Sequence, residues 1–252
     1  MPPSGRAPVS VVSRAFSWLL DYAYVLFWQA HAVLFRTDFD DYKQRYDGGS
    51  TPTQRSAGNT KKYPPILILP GIYERWQFMK RLVDHVHDRG YEVHVVEPLG
   101  YNLKSAESLA VSVTDYVEKH SLDSVVIIAH SKGGLVGKYV MAGRAGKHIK
   151  HMIAVNTPFA GSIYAGYVFL PGVRDLSPRN AALLSLQEKR EINQHITSIY
   201  ARFDPHIPGG SRLPGAHNVQ VEVDGHFRIL GSSRLIEAID ESLGIINRCP
   251  DS

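Results

Sequence analysis

The stretch SVVIIAHSKGG, residues 124–134, joins an apolar β-branched run to a serine followed closely by two glycines. The run reads as a buried strand, and GLVGKYVMAGRAG after it reads as a helix, so Ser131 stands on the turn between them. A sharp strand-turn-helix junction makes a hydroxyl project from a sheet edge, provided that the residues two before and two after are small enough for the neighbouring backbones to pass. Ala129 and Gly133 meet that requirement. The same serine could serve as an ordinary helix N-cap, and the rest of the chain has to decide between the two readings.

Working outward, PPILILP gives a strand at about 66–69, and RWQFMKRLVDHVHDRG gives a helix with Trp76, Met79, Leu82, Val83 and Val86 on one face and Gly90 at its end. YEVHVVEP is the next strand, at about 91–96, and residues 105–120 are helical. HMIAVNTP, ITSIYARFD and NVQVEVDGH supply later strands, with SSRLIEAIDESLG as a closing helix. Strands alternating with helices of this length predict an α/β protein, a mainly parallel sheet of about six strands covered by helices on both faces. On such sheets ligands sit at the carboxyl ends of the strands. A catalytic domain is expected over 61–252, with an insertion or lid at about 159–195 that includes the apolar AGSIYAGYVFLPGV.

A serine hydroxyl is a weak nucleophile until a histidine takes its proton, and the imidazole in turn needs an acid to fix its tautomer. The chain order on this kind of sheet is serine, acid, histidine. Asp204 ends the strand ITSIYARFD, and His226 follows the last strand, where Gly225 lets the chain bend. Asp175 and Asp224 are rival acids; His206 and His217 are rival bases in loops. The oxyanion of a tetrahedral intermediate needs two backbone donors, for which the amides of Lys132 and Ile72 are the candidates. The Lys132 side chain is expected in solvent at the helix start.

These segments together resemble the α/β-hydrolases, and within them the small bacterial lipases with a minimal sheet. AHSKGG is similar to their AHSMGG, NTPFAGS to the segment after their next strand, IYARFDPHIP to the acid-bearing loop, and LPGAHNVQVEVDGHFRIL to the stretch carrying their histidine. The resemblance covers about residues 64–245 and implies serine-dependent hydrolysis of carboxylic esters, with Ser131, Asp204 and His226 as the triad. Two departures stand out: Pro70-Gly71 replaces the family's histidine-glycine pair before the oxyanion donor, and Tyr73-Glu74 replaces small residues, bringing a charge toward the site. A thioesterase or acyltransferase would use the same triad, since the acyl-enzyme step is shared. A non-catalytic hydrolase-fold binding or scaffold protein is the alternative from another class.

The 252 residues, 44% hydrophobic and 21% charged, can bury one sizeable core. The formal charge of +4 is spread among acids, which argues against nucleic acid. One cysteine, Cys249, rules out an internal disulfide and a cysteine-rich metal site. No paired-histidine metal motif and no phosphate or dinucleotide loop occurs, so neither metal nor cofactor is predicted. Residues 1–60 read as an apolar helix and linker. The run AFSWLLDYAYVLFWQAHAVLF, residues 15–35, is about as long as a membrane span, but Asp21, Gln29 and His31 interrupt it. Three readings follow: a signal anchor or interfacial helix, which predicts membrane association with an acyl ester or lipid as substrate; a cleaved signal peptide; and an amphipathic helix packed on the domain itself. A secreted or cytoplasmic location stays open. Residues 47–63, rich in Gly, Ser, Thr and charge, read as a linker.

Overall fold

A computed structural model of the protein describes residues 11–34, 39, 42, 63–96, 99–167 and 172–248. The helix α1 (Val11–Leu34) comes first. The sheet is then built from β1 (Ile66–Leu69), β2 (Val93–Val95), β3 (Val125–His130), β4 (Ile149–Val155), β5 (Ile196–Phe203) and β6 (His217–Asp224). Between and after them lie α2 (Lys80–Asp88), α3 (Ala106–Lys119), α4 (Lys132–Ala142), α5 (Ala181–Glu188) and α6 (Ser233–Ile246). The six strands run in the order β2-β1-β3-β4-β5-β6, and each pair is parallel. The predicted α/β architecture is the one observed.

Strand alternation divides the interior into two layers. Ile66 and Ile68 of β1, Val126 and Ile128 of β3 and Ile153 and Val155 of β4 face the layer covered by α2 and α6. Their neighbours Leu67 and Leu69, Val125 and Ile127, Met152 and Ala154 face the layer covered by α3, α4 and α5. Period-2 side chains buried on both faces account for the continuous apolar runs of the sequence. Ser105 and Asn180 cap α3 and α5 by accepting from the amides of Ser108 and Leu183, at 3.2 and 3.0 Å.

Helix α1 packs against the body formed by the sheet and its helices. Tyr24, Val25 and Trp28 lie on the α2/α6 core layer, while Leu19, Leu26, Phe27 and Leu34 face outward at 65, 68, 61 and 75% exposure. Among the described residues no helix is long and apolar enough to cross a membrane, so the expectation of a spanning anchor receives no support. The reading that the structure matches is a helix laid on the domain's own surface. Apart from Tyr63, the predicted linker 47–63 lies outside the described residues, as does Cys249. Within the insertion the chain forms short 3-10 turns at Ile163–Gly166 and Arg174–Leu176 before α5, and residues 168–171 lie outside the description.

The turn at Ser131 depends on Gly133. A β-carbon there would overlap the Leu69 carbonyl oxygen at the end of β1, and that backbone atom belongs to a central strand that cannot move aside. Gly133→Ala should therefore lower stability by about 3 kcal/mol, the upper range of overpacking costs. Urea unfolding of the two proteins checks this, and an unchanged midpoint would contradict it.

Candidate active site

Ser131 follows β3 directly, with φ +51° and ψ −122°, a left-handed backbone that holds a non-glycine residue only under tertiary constraint. The constraint is visible: the Ser131 amide donates to the Val155 carbonyl at 2.9 Å, and the Gly134 amide donates to the Ser131 carbonyl at 3.1 Å. The Ser131 side chain does not cap α4. Its Oγ instead lies 2.9 Å from His226 Nε2.

The structure brings Ser131, His226 and Asp204 together from three separate loops. His226 Nδ1 is 2.7 Å from Asp204 Oδ2, and Asp204 Oδ1 accepts the amides of His206 and Ile207 at 2.8 and 3.1 Å. An ionised carboxylate only accepts, so the ring proton sits on Nδ1 and the Nε2 lone pair faces the serine hydroxyl. Burial by itself would push the His226 imidazole down and the Asp204 carboxyl up. The charge and hydrogen bond each receives from the other outweigh burial, with Asp21 and Glu74 adding to the effect on His226. The imidazole ends above, and the carboxyl below, its ordinary value. The arrangement is equipped to move the hydroxyl proton onto the ring.

The rival groups go elsewhere. Asp175 Oδ2 is 3.6 Å from Lys132 Nζ, and Asp224 pairs with Arg202 Nη2 at 2.7 Å. His217 begins β6, a full strand length from the carboxyl edge where Ser131 lies. His206 packs beside His226, ring centroids 5.1 Å apart, and burial first, then the His226 charge, hold it down at about 4. The expectation of a solvated Lys132 side chain was mistaken. That side chain is fully buried, and Nζ donates to the carbonyls of Lys104 and Gly172 at 2.6 and 3.0 Å, tying the insertion to the loop before α3.

Of the proposed amide donors, Ile72 lines the same cavity as Ser131, and Lys132 opens α4 directly after it. The Ile72 loop is braced by Glu74, the charge that the sequence placed near the site, and by Asn102 and Gln29, which the sequence did not link to the site. Glu74, 1% exposed, accepts the Gly71 amide at 2.8 Å and sits 2.8 Å from His130 Nδ1. The charge that departs from the family pattern is thus turned inward onto an imidazole. Asn102 Nδ2 donates to the carbonyls of Pro70 and Gly71 at 2.9 and 2.8 Å, and Gln29 of α1 donates to that of Tyr73 at 2.8 Å. His130 Nε2 reaches the His226 carbonyl at 3.0 Å, which Asn156 Nδ2 also contacts at 3.0 Å. Asp21, noted in the sequence only as an interruption of the apolar run, also reaches the site; its carboxylate accepts the His226 amide at 2.9 Å. A lone acid in an apolar helix had to find donors somewhere, and that was the available signal.

A cavity of about 400 Å³ opens over Ser131 and His226. Trp18, Tyr22 and Val25 of α1 form one wall, and Ile72, Phe78 and Ile207 form much of the rest. Its lining is predominantly apolar, as suits a hydrocarbon group. Among the described residues no group of His, Cys, Asp or Glu is arranged to hold a metal ion.

Residues 64–188 match the family model described as alpha/beta hydrolase fold. A curated relative, AB hydrolase superfamily protein YfhM of Bacillus subtilis, is 23% identical over 148 residues, 49% of this chain and 51% of that one, so the match spans about half of the relative's length. Among solved structures, the mature form of Bacillus licheniformis lipase BlEst2 superposes with a TM-score of 0.54 at 16% identity, covering 72% of this chain and 92% of that one. Its propeptide form gives 0.55 at 14%, covering 75% and 51%. A carboxylesterase structure from Nitrososphaera gargenis gives 0.56 at 12%, covering 74% and 92%. At these identities the likeness establishes the fold.

The surroundings of the two rings give opposite titrations. By NMR, His226 should titrate above the ordinary imidazole value and His206 near 4. In Asp204→Asn the opposing charge is gone and burial dominates, so the His226 value should fall. A His226 value that ignores this substitution would contradict the assigned cause.

Proposed function

We propose that this chain, whose residues 64–188 match the alpha/beta hydrolase fold model, is a serine hydrolase cleaving carboxylic esters with an apolar acyl group. The observation that carries the reading is the continuous proton path from Ser131 Oγ through His226 to Asp204, at 2.9 and 2.7 Å, opening into an apolar cavity. Ser131 Oγ attacks the ester carbonyl carbon as His226 Nε2 takes its proton. The carbonyl oxygen becomes an oxyanion facing the amides of Ile72 and Lys132, where one such donor is worth about 3 kcal/mol of barrier. Collapse expels the alcohol, protonated by the His226 imidazolium, and leaves an acyl-Ser131 ester. Water, deprotonated by the same ring, then attacks this ester, releases the acid and restores the serine. Asp204 stays ionised throughout and stabilises the imidazolium.

The outer face of α1 supports work at a lipid surface. Helices in water usually turn their polar residues outward, but here Asp21 and Gln29 point into the protein, while Leu19, Leu26, Phe27 and Leu34 point away from it. Tyr22 and Tyr164 are exposed and also line the cavity, so the apolar face runs into the mouth through which an acyl chain would enter. The helix lies along the interface with its apolar side toward the lipid, in the manner of a monotopic attachment.

A fluorophosphonate probe should label the parent protein on Ser131. Ser131→Ala should abolish labelling, and His226→Ala should slow turnover by about 10⁴-fold or more. Hydrolysis rates across p-nitrophenyl esters, triglyceride and acyl-CoA should favour the oxygen esters; a preference for acyl-CoA would move the assignment to a thioesterase, and labelling of Ser131→Ala equal to the parent would end the serine mechanism. For the surface, Leu26→Asp together with Phe27→Asp should reduce the rate on esters in phosphatidylcholine vesicles and leave soluble short-chain esters unaffected. Equal rates on vesicles would rule out the lipid-facing role.

A further inference from the structure

The proton path above makes no use of the fully buried carboxylate of Asp21. Its Oδ2 accepts the His226 amide at 2.9 Å, and its Oδ1 accepts the amides of Phe227 and Arg228, both at 2.9 Å. Three successive amides converging on one carboxylate form a closed anion site in the backbone. The acceptor arrives from α1, 205 residues away in sequence, so this is no local turn. Gly225 makes room for it: with φ +116°, a β-carbon there would fall 2.6 Å from Asp21 Oδ1. On the other side of the same residue, the His226 carbonyl is held by Asn156 Nδ2 and His130 Nε2, each at 3.0 Å. Gln29, two turns along α1, ties the helix to Tyr73 next to the Ile72 amide.

We propose that Asp21 is a positioning residue for His226: the N-terminal helix fixes the backbone from which the imidazole reaches Ser131, and the site is competent only while that helix is docked. The inference rests on the serine-hydrolase reading of the site. His226 is faced by Asp204 from the loop after β5, Asp21 from α1, Glu74 from the loop after β1, His206 from the Asp204 loop and His130 from the end of β3. Removing the Asp21 charge takes away one of the negative groups that raise the imidazole; with Asp204 and Glu74 still in place, its midpoint moves modestly to lower pH.

The test follows the rate of Ser131 phosphonylation by a fluorophosphonate against pH in the full chain. Compared are the parent, Asp21→Asn, Asp21→Ala and Ala23→Gln, the last on the exposed side of α1. Phosphonylation should slow about 10-fold in Asp21→Asn and about 100-fold in Asp21→Ala, the scale set by a misplaced catalytic group. Its acid limb should move to lower pH in Asp21→Asn, and Ala23→Gln should match the parent. A carboxylate that merely glued the helix down would lower the melting temperature of Asp21→Asn without moving the limb, and that result overturns the proposal, as does a parental rate in both Asp21 variants. If Asp21→Ala does not fold, Asp21→Asn decides alone, with NMR titration of His226 as the second measurement: a midpoint equal to the parent's counts against the proposal, a lower one for it. Ester turnover measured alongside separates the two readings, because a parent that phosphonylates but hydrolyses no ester defeats the ester assignment and leaves the Asp21 dependence standing.

Discussion

Two carboxylates from distant parts of the chain fix one histidine. Asp204 holds the His226 ring through Nδ1, and Asp21 holds its backbone through the amide. The division matters because a ring held only by a hydrogen bond can still swing with its loop, whereas a loop held at N and at C=O carries the ring to one place. The His226 amide has Asp21 as its partner, and the His226 carbonyl has Asn156 and His130. With both peptide groups satisfied, the remaining freedom is in the side-chain torsions, and the Asp204 bond removes most of that.

Holding the loop this way concentrates buried polar groups at the carboxyl edge of the sheet. Asp21, Glu74, His130, Asp204 and His226 are all less than 9% exposed. A charge in such a place is costly unless each lone pair and proton has a partner. Glu74 takes the Gly71 amide and the His130 ring; Asp204 takes two amides and the His226 ring; Asp21 takes three amides. His206 shows the limit of this scheme. Its Nε2 stands 3.6 Å from Asp21, beyond hydrogen-bond reach, and its ring is packed against Trp18 and His226, so it stays neutral down to about pH 4. The site's negative charge is therefore matched mainly by backbone dipoles, which do not titrate.

The sheet and the turn at Ser131 were legible because each depends on near neighbours in sequence: β-branched runs, period-2 burial, and the small residues Ala129 and Gly133. Asp204 and His226 could be found because strand ends are where a parallel sheet collects its side chains. The contacts that brace them could not be found in this way. Nothing local to Asp21 says that its partners are the amides of residues 226–228, and nothing local to Lys132 says that two carbonyls at Lys104 and Gly172 replace solvent around it. Glu74 was visible as a departure from the family pattern, but its burial against His130 is set by how the loop after β1 folds over the end of β3. Local pattern reveals which residues meet an edge; the satisfaction of buried charge is a property of the assembled fold.

Asp21 also accounts for the ambiguity of the apolar N-terminal run. Read as a membrane span, its carboxylate is an expensive defect; read as an amphipathic surface helix, its polar residues are too few for a solvent-facing side. Both objections dissolve if the helix is inverted. The inward side carries the few polar groups, because there the protein offers amide donors to Asp21 and a carbonyl to Gln29. The outward side, with Leu19, Leu26, Phe27 and Leu34, carries none of the cost of burying charge and is left apolar. The same inversion brings Trp18, Tyr22 and Val25 to the cavity wall. One carboxylate thus sets the rotation of α1 about its axis, and that rotation decides at once which side chains wall the cavity, which residues face away from the protein, and where the backbone of His226 is held.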